Sequence, residues 1–284
     1  MTTNRWTYNK EHDSDLRFVP ELVMLGSDEV RKALPLTEHQ HPGCYEFVFI
    51  ERGKAGWALG EEHYETTAGQ VFHSRPGEKH RGSFNVIEPC KFWWLIVEEP
   101  APIGWLGFTT EELMHIQHAL AELPRVKHVG WASFEALKRL KHTLLFRNAL
   151  QSVAVRAALI KAILAIIAPH SGSHEIAADL KLRFEELIER MGKEPEWRPT
   201  VNELAQMTGV SSSHFYRTFQ SYTGEPPITF AERLRVKEAC RQLEGSQDSI
   251  TDIAYRLGYP SSQHFATVFK RFIGATPSQW RRTR

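Results

Sequence analysis

The chain has 284 residues, room for two domains at ~150 residues each. Hydrophobic residues make up 42% and charged residues 24%, enough for packed cores and ordinary for a soluble protein. Lys plus Arg is 35 against 34 for Asp plus Glu, a net charge of +1, so overall charge announces no nucleic-acid partner and any basic surface has to be local.

The opening residues 1–15 hold no apolar run, so no signal peptide is expected. Cys44, Cys90 and Cys240 are widely spaced and form no CxxC, which argues against a disulfide framework or zinc ribbon and fits a reducing cytoplasm. The first third is β-rich. Residues 45–50, 56–59 and 92–97 are aromatic and β-branched runs, separated by turn residues at 52–54, 60–62 and 75–78. Such short, spaced strands predict a barrel or sandwich.

From Thr110 the pattern turns helical, with Thr110 as expected cap of a helix over 111–120. Phe134, Leu137, Leu140, Leu144 and Leu145 form an apolar stripe on a helix over 134–148. A greasier helix follows over 152–168; Arg156 and Lys161 interrupt it and it is too short to span a bilayer, so it reads as buried and no membrane partner is expected. Residues 169–174 are the expected linker, a Pro followed by small polar residues.

The C-terminal region repeats itself. Leu204-Ala205 and Gly209 recur 49 positions on as Ile253-Ala254 and Gly258. Phe215, Phe219, Gly224 and Pro227 recur 50 positions on as Phe265, Phe269, Gly274 and Pro277. The extra residue falls in the turn or at the start of the next helix. Each unit reads helix, Gly-containing turn, helix, Gly, Pro. Thr200 with Glu203 and Ser249 with Asp252 predict capping boxes, and Ser211 and Ser261 cap the second helices.

These residues resemble the AraC/XylS family of transcription regulators, densely over 199–282, in the words LAQMTGVSSSHFYRTF (204–219), IAYRLGY (253–259) and SQHFATVFKRFIGATPSQWR (262–281). The resemblance implies two helix-turn-helix units on double-stranded DNA, joined by a long helix over 229–244 in which Arg235 and Ala239 match. Outward residues of the first recognition helix are Ser213, His214, Tyr216, Arg217 and Gln220; on the second they are Ser262, Gln263, Ala266, Thr267 and Lys270. Arg217 stands where the family often carries a base-reading Arg, which grips guanine bidentately. Residues 265–284 hold Lys270, Arg271, Arg281, Arg282 and Arg284 and no carboxylate, a cluster suited to phosphates.

His39-Gln40-His41, Glu46 and Gly53 fit the first cupin motif, HxH-x(3 or 4)-E-x6-G; Gly69 to Pro76-Gly77-Glu78-Lys79-His80 resembles the second, one residue shorter than PxGxxH. The PGxxH form is common in sensor domains of AraC-type regulators. Strand alternation turns His39 and His41 to one side. Glu46 and His80 then complete a three-His, one-carboxylate set suited to a divalent metal such as Zn, Fe or Mn; the alternative is that these groups hydrogen-bond a ligand or one another. Trp57, Trp93 and Trp94 are candidates for stacking on a sugar, against their use as core; Trp93 and Trp94 point to opposite faces, so at most one lines the pocket, and Trp57 and Trp94 are chosen.

The expected fold is thus α+β and multidomain: a cupin-like β-barrel over 1–108, a helical dimerisation and linker region over 109–168, and an all-α double helix-turn-helix domain over 176–284. The expected function is a cytoplasmic, homodimeric transcription activator that responds to a small molecule, by resemblance a carbohydrate, and works with RNA polymerase. Two enzymes are the rivals: a metal-dependent cupin enzyme carrying a DNA-binding tail, and an alkyl-transfer repair fusion, which needs the clustered cysteines this chain lacks.

Overall fold

A computed structural model gives the architecture and describes residues 5–13, 19–146, 148–168 and 178–283. The expected linker at 169–174 and the last residue, Arg284, lie outside them. The strands are β1 (Trp6–Asn9), β2 (Leu22–Glu29), β3 (Leu34–Pro35), β4 (Cys44–Leu59), β5 (Glu62–Thr67), β6 (Gln70–Ser74), β7 (Arg81–Gly82), β8 (Val86–Ile87), β9 (Cys90–Glu98) and β10 (Val126–His128). The helices are α1 (Thr110–Ala121), α2 (Gly130–Leu145), α3 (Gln151–Ile167), α4 (Ala178–Lys193), α5 (Val201–Thr208), α6 (Ser212–Thr223), α7 (Pro227–Gly245), α8 (Ile250–Arg256), α9 (Ser262–Ile273) and α10 (Pro277–Arg282). They fall into two units: Met1–Glu29, Leu36–Asn85 and Cys90–Ser173 in one, and Val30–Pro35, Val86–Pro89 and His174–Arg284 in the other.

In the first unit the sheet runs β1-β2-β9-β4-β6-β10, with β5 and β7 also on β4. Strand β4 is one long strand, so the turn expected at 52–54 is instead an irregularity within it. Before that point β4 pairs with β9 and β6; beyond it, with β5 and β7. Gly53, at φ +89, takes a conformation that glycine adopts without strain. This switch of partners curls the sheet and gives it two faces. Tyr45, Phe47, Phe49, Val71, Trp93, Leu95 and Val97 face α1, α2 and α3 in one apolar cluster, where Phe49 meets Phe134 edge-on at 6.2 Å. Glu46, Val48, Phe72, Ser74, Trp94 and Ile96, on the alternate positions, face the other way.

The helices of the first unit differ from expectation in three respects. Thr109 caps α1 in place of Thr110, forming a full capping box with Glu112. Helix α2 starts at Gly130 and stops at Leu145, because Phe146 is extended. Helix α3 is buried along one face only: Val155, Leu159, Ile163 and Ile166 are covered, while Val153 and Leu164 are exposed.

The second unit contains both repeats and the β3–β8 ribbon, in which Ala33 N–H donates to the Arg271 carbonyl (2.8 Å). Gly209 and Gly258 both take left-handed backbone, φ +70 and +73. A Cβ at Gly258 would sit 2.9 Å from the Glu196 carbonyl oxygen, so a side chain is blocked there twice over. The extra residue of the second repeat lies in the turn, since two residues separate Gly258 from the cap Ser261 and one separates Gly209 from Ser211. Ser211 and Ser261 cap as expected, and Thr200 with Glu203 forms a full box. At Ser249 the shorter Asp252 carboxylate takes the Ser249 hydroxyl, 2.6 Å. The linking helix α7 is fixed by Arg233, which donates from Nε to both Glu225 oxygens (3.2 and 3.0 Å), both side chains being buried. Arg235 donates to the carbonyls of Pro195 and Trp197 (2.8 and 2.9 Å).

Candidate effector pocket and DNA-reading helices

Four side chains meet on the inner face of the curled sheet. Glu46 stands on β4, and His80 precedes β7 and bridges back to His39. That antiparallel bridge, with N–H to O bonds of 2.9 Å each way, brings the HxH segment over Glu46. Glu46 Oε2 lies 2.6 Å from His80 Nε2, 3.5 Å from His41 Nε2 and 3.9 Å from His39 Nε2. One ligand atom from each of the four can be chosen so that all lie within 4.8 Å of one another.

The electrostatics follow from burial. Desolvation raises the Glu46 pKa, but hydrogen bonds from His41 and His80 outweigh it and lower the value to about 2. Burial pulls His80 down, but the Glu46 carboxylate outweighs it and leaves the pKa raised. Each partner thus favours the charged form of the other.

The donor set fits a divalent ion. His39 Nδ1 meets the Thr37 carbonyl (2.8 Å) and His80 Nδ1 the Glu78 carbonyl (3.0 Å). Those bonds orient the rings and turn each Nε2 inward, as metal-binding histidines require. Bonds of about 2.1 Å place the ligands of one ion about 3–4 Å apart, so the four atoms need to close by only about an ångström.

The two chosen tryptophans wall this face. Trp57 is 1% exposed, stacks on Phe72 at 4.8 Å and donates Nε1–H to Thr66 Oγ1 (2.8 Å). Trp94 covers Gly26, where a Cβ would fall 2.0 Å from the ring, and Arg5 lies 5.1 Å from the ring centroid. Trp93 belongs to the helix-side cluster and donates to Glu51 (2.8 Å).

In the second unit, Phe215 and Phe219 on α6 and Phe265 and Phe269 on α9 are fully buried. Burying that stripe leaves Ser213, His214, Tyr216 and Arg217 exposed on α6, with Gln220 half-buried. On α9 Gln263, Thr267 and Lys270 are exposed and Ser262 is half-buried. Thr267 donates its hydroxyl to the Gln263 carbonyl (3.0 Å), which leaves its methyl to present outward. Arg271 differs from its neighbours: its guanidinium pairs with Glu232 on α7 and lies over Phe272. Sequence reasoning missed Glu225 and Arg233, and nothing in a spacing of eight residues signals a buried ion pair.

Residues 204–283 match the family model described as a helix-turn-helix domain, and residues 32–97 match that of a cupin domain. The chain thus carries an AraC-type helix-turn-helix domain together with a cupin domain. Its cupin domain precedes its DNA-reading domain. Among curated proteins it is 26% identical over 86% of its length to the MmsAB operon regulatory protein of Pseudomonas aeruginosa, covering 75% of that protein. It is likewise 26% identical over 87% of its length to the HTH-type transcriptional activator RhaS of Escherichia coli O81, covering 88% of it. The DNA-binding domain of AdpA, solved with a target DNA, aligns at 29% identity over 36% of this chain and 91% of that one, with a TM-score of 0.35. Among the described residues no helix is long and apolar enough to cross a membrane.

Proposed function

We propose that this AraC-type regulator is a cytoplasmic activator that senses a small molecule in the cupin pocket and reads DNA with α6 and α9. The observation that carries the reading is the convergence of His39, His41, Glu46 and His80 on one face of the barrel, in a chain that also exposes two capped recognition helices. Arg217 is the base-reading residue, with Ser213, His214, Tyr216 and Gln220 beside it. Ser262, Gln263, Thr267 and Lys270 serve the second helix, and Arg271 acts from its pairing with Glu232. A carbohydrate is the proposed effector class, since three histidines and a carboxylate converging on one sheet face, with Trp94 on that same face, suit a hydroxylated ring. A divalent ion held by the four donors is the proposed cofactor; it would supply a fixed Lewis-acidic anchor for an effector oxygen.

A homodimer is the proposed assembly. Leu145, Phe146, Leu150 and Val153 cluster where α2 passes to α3 and are 57%, 58%, 69% and 59% exposed, an apolar surface of the kind that marks an interface. RNA polymerase is the further partner that activation requires.

The test is a gel-shift assay on purified protein, with metal analysis and a thermal-shift screen against sugars. Retarded DNA that responds to a sugar which also raises Tm supports the reading. A metal-dependent cupin enzyme with a DNA-binding tail remains the second reading, favoured by the complete donor set; turnover of a screened compound without an effect on DNA binding would favour it.

A further inference from the structure

Arg125 and Lys127 flank Val126 and grip different parts of the first unit. Arg125 donates from Nη1 to Glu78 Oε2 (2.6 Å) and from Nη2 to Glu78 Oε1 (2.5 Å). Glu78 lies in the turn that leads to His80. Its carboxylate also accepts the Arg75 N–H (2.7 Å), and its carbonyl accepts from His80 Nδ1 (3.0 Å). The two parallel bonds make the contact a bidentate fork, which fixes orientation as well as distance. Glu78 therefore holds the pocket histidine at one end and Arg125 at the other.

Lys127 reaches the opposite way. Its Nζ donates to the carbonyls of Ile166, Ile167 and Ala168 at 2.7, 3.1 and 2.8 Å. The last turn of a helix leaves such carbonyls without intrahelical partners, and a cation there is favoured. All three ammonium donors go to the end of α3, and that end leads the chain on toward α4.

Strand β10 is short, with Arg125 just before it and Lys127 at its middle, yet it is pinned in register to β6, Val126 opposite Phe72 and Lys127 opposite Val71. The Arg125 carbonyl accepts from His73 N–H (3.2 Å). Phe72 stacks on Trp57 and lies 6.3 Å from the His80 ring. The side chains of Arg125 and Lys127 are thus each committed to a named partner.

We infer that β10 is a relay: Arg125 and Lys127 are positioning residues that convey the placement of His80 to the C-terminal end of α3. An occupant that moves His80 moves the Glu78 carbonyl, and the Glu78–Arg125 fork moves β10 with it. Lys127 then shifts or releases the last turn of α3. This rests on the reading of the barrel as the sensor, and adds the route by which the sensor acts.

The experiment is a double-mutant cycle on the full chain, read by hydrogen exchange of the amides over 160–168, with neither effector nor DNA present. His80→Ala is expected to speed that exchange by about threefold or more. In the Arg125→Met and Lys127→Met backgrounds the same replacement is expected to add nothing. Glu46→Gln, which keeps side-chain volume, takes the place of His80→Ala if that variant does not fold. Equal acceleration in all three backgrounds, or none in the wild type, overturns the relay. Because the cycle uses no effector, that outcome leaves the sensor reading standing; a failed sugar and metal screen beside a non-additive cycle would instead remove the sensor reading alone.

Discussion

His80 Nε2 stands 2.6 Å from Glu46 Oε2, and each residue sets the other's proton. Burial lowers the His80 pKa, and the Glu46 carboxylate more than reverses this, so His80 keeps its proton to higher pH than an ordinary histidine. A histidine that ligates a metal has to be neutral. Zn(II) binding is therefore expected to release protons at about pH 6.5, the usual histidine value. Its affinity should weaken as pH falls through the raised His80 value. Calorimetry in two buffers of different ionisation enthalpy measures the release, and binding without proton release would contradict this arrangement. Glu46→Gln keeps size and removes the charge, so bound metal and thermal stability should fall together.

His73 gives the first unit an acid limit. Burial lowers its pKa from 6.5 to about 4, although its Nε2 meets the Leu123 carbonyl at 3.1 Å. The unfolded chain thus binds more protons than the folded one between those values. Stability from this group is full above pH 6.5 and falls as pH drops, by about 3 kcal/mol on reaching pH 4. Urea unfolding of wild type and His73→Gln across this range measures the difference. Equal pH slopes would show that His73 is not the group responsible.

The Glu225–Arg233 pair locks the first helix-turn-helix to the linking helix. Glu225→Gln leaves Arg233 charged in a site only 1% exposed. A loss of about 3–5 kcal/mol is expected, measured by urea unfolding at a helical circular-dichroism wavelength. A loss under about 1 kcal/mol would mean that water reaches the guanidinium after all.

On DNA, Arg217 and Lys270 should differ in kind. Arg217→Ala is expected to cost about 1–3 kcal/mol on a cognate duplex and to relax preference at one base pair. Lys270→Ala should weaken cognate and random duplexes alike and flatten the salt slope. Equal losses on both duplexes for Arg217→Ala would reduce it to a phosphate contact.

The α-helical repeat was legible because its signals are local: capping hydroxyls at Ser211 and Ser261, left-handed glycines at 209 and 258, and phenylalanines four apart. The pocket donors were legible because HxH, Glu46 and the short PGxxH turn fix residue types at set spacings. Adjacent alternatives were harder. Thr109 and Thr110 offer the same hydroxyl, and only the reach of Glu112 back to Thr109 N–H (2.8 Å) decides between them. Residues 52–54 carry turn chemistry but lie inside β4, where ladder pairing with β9 and β5 overrides local preference. Long-range pairs left no trace: Arg271 with Glu232, Arg125 with Glu78 and Lys127 with the end of α3 are set by packing, whereas the sequence marks Arg271 only as a phosphate contact and Glu78 only as part of the second cupin motif.

Selection of duplexes from a random pool by the full chain tests the account most directly. Two recognition helices on one connector predict enrichment of a site with two blocks about 10 bp apart, one helical turn. Arg217→Ala should erase preference in one block, and Gln263→Ala with Thr267→Ala in the other. A pool that stays random, or a single block lost to either set of substitutions, would contradict a double-reading regulator.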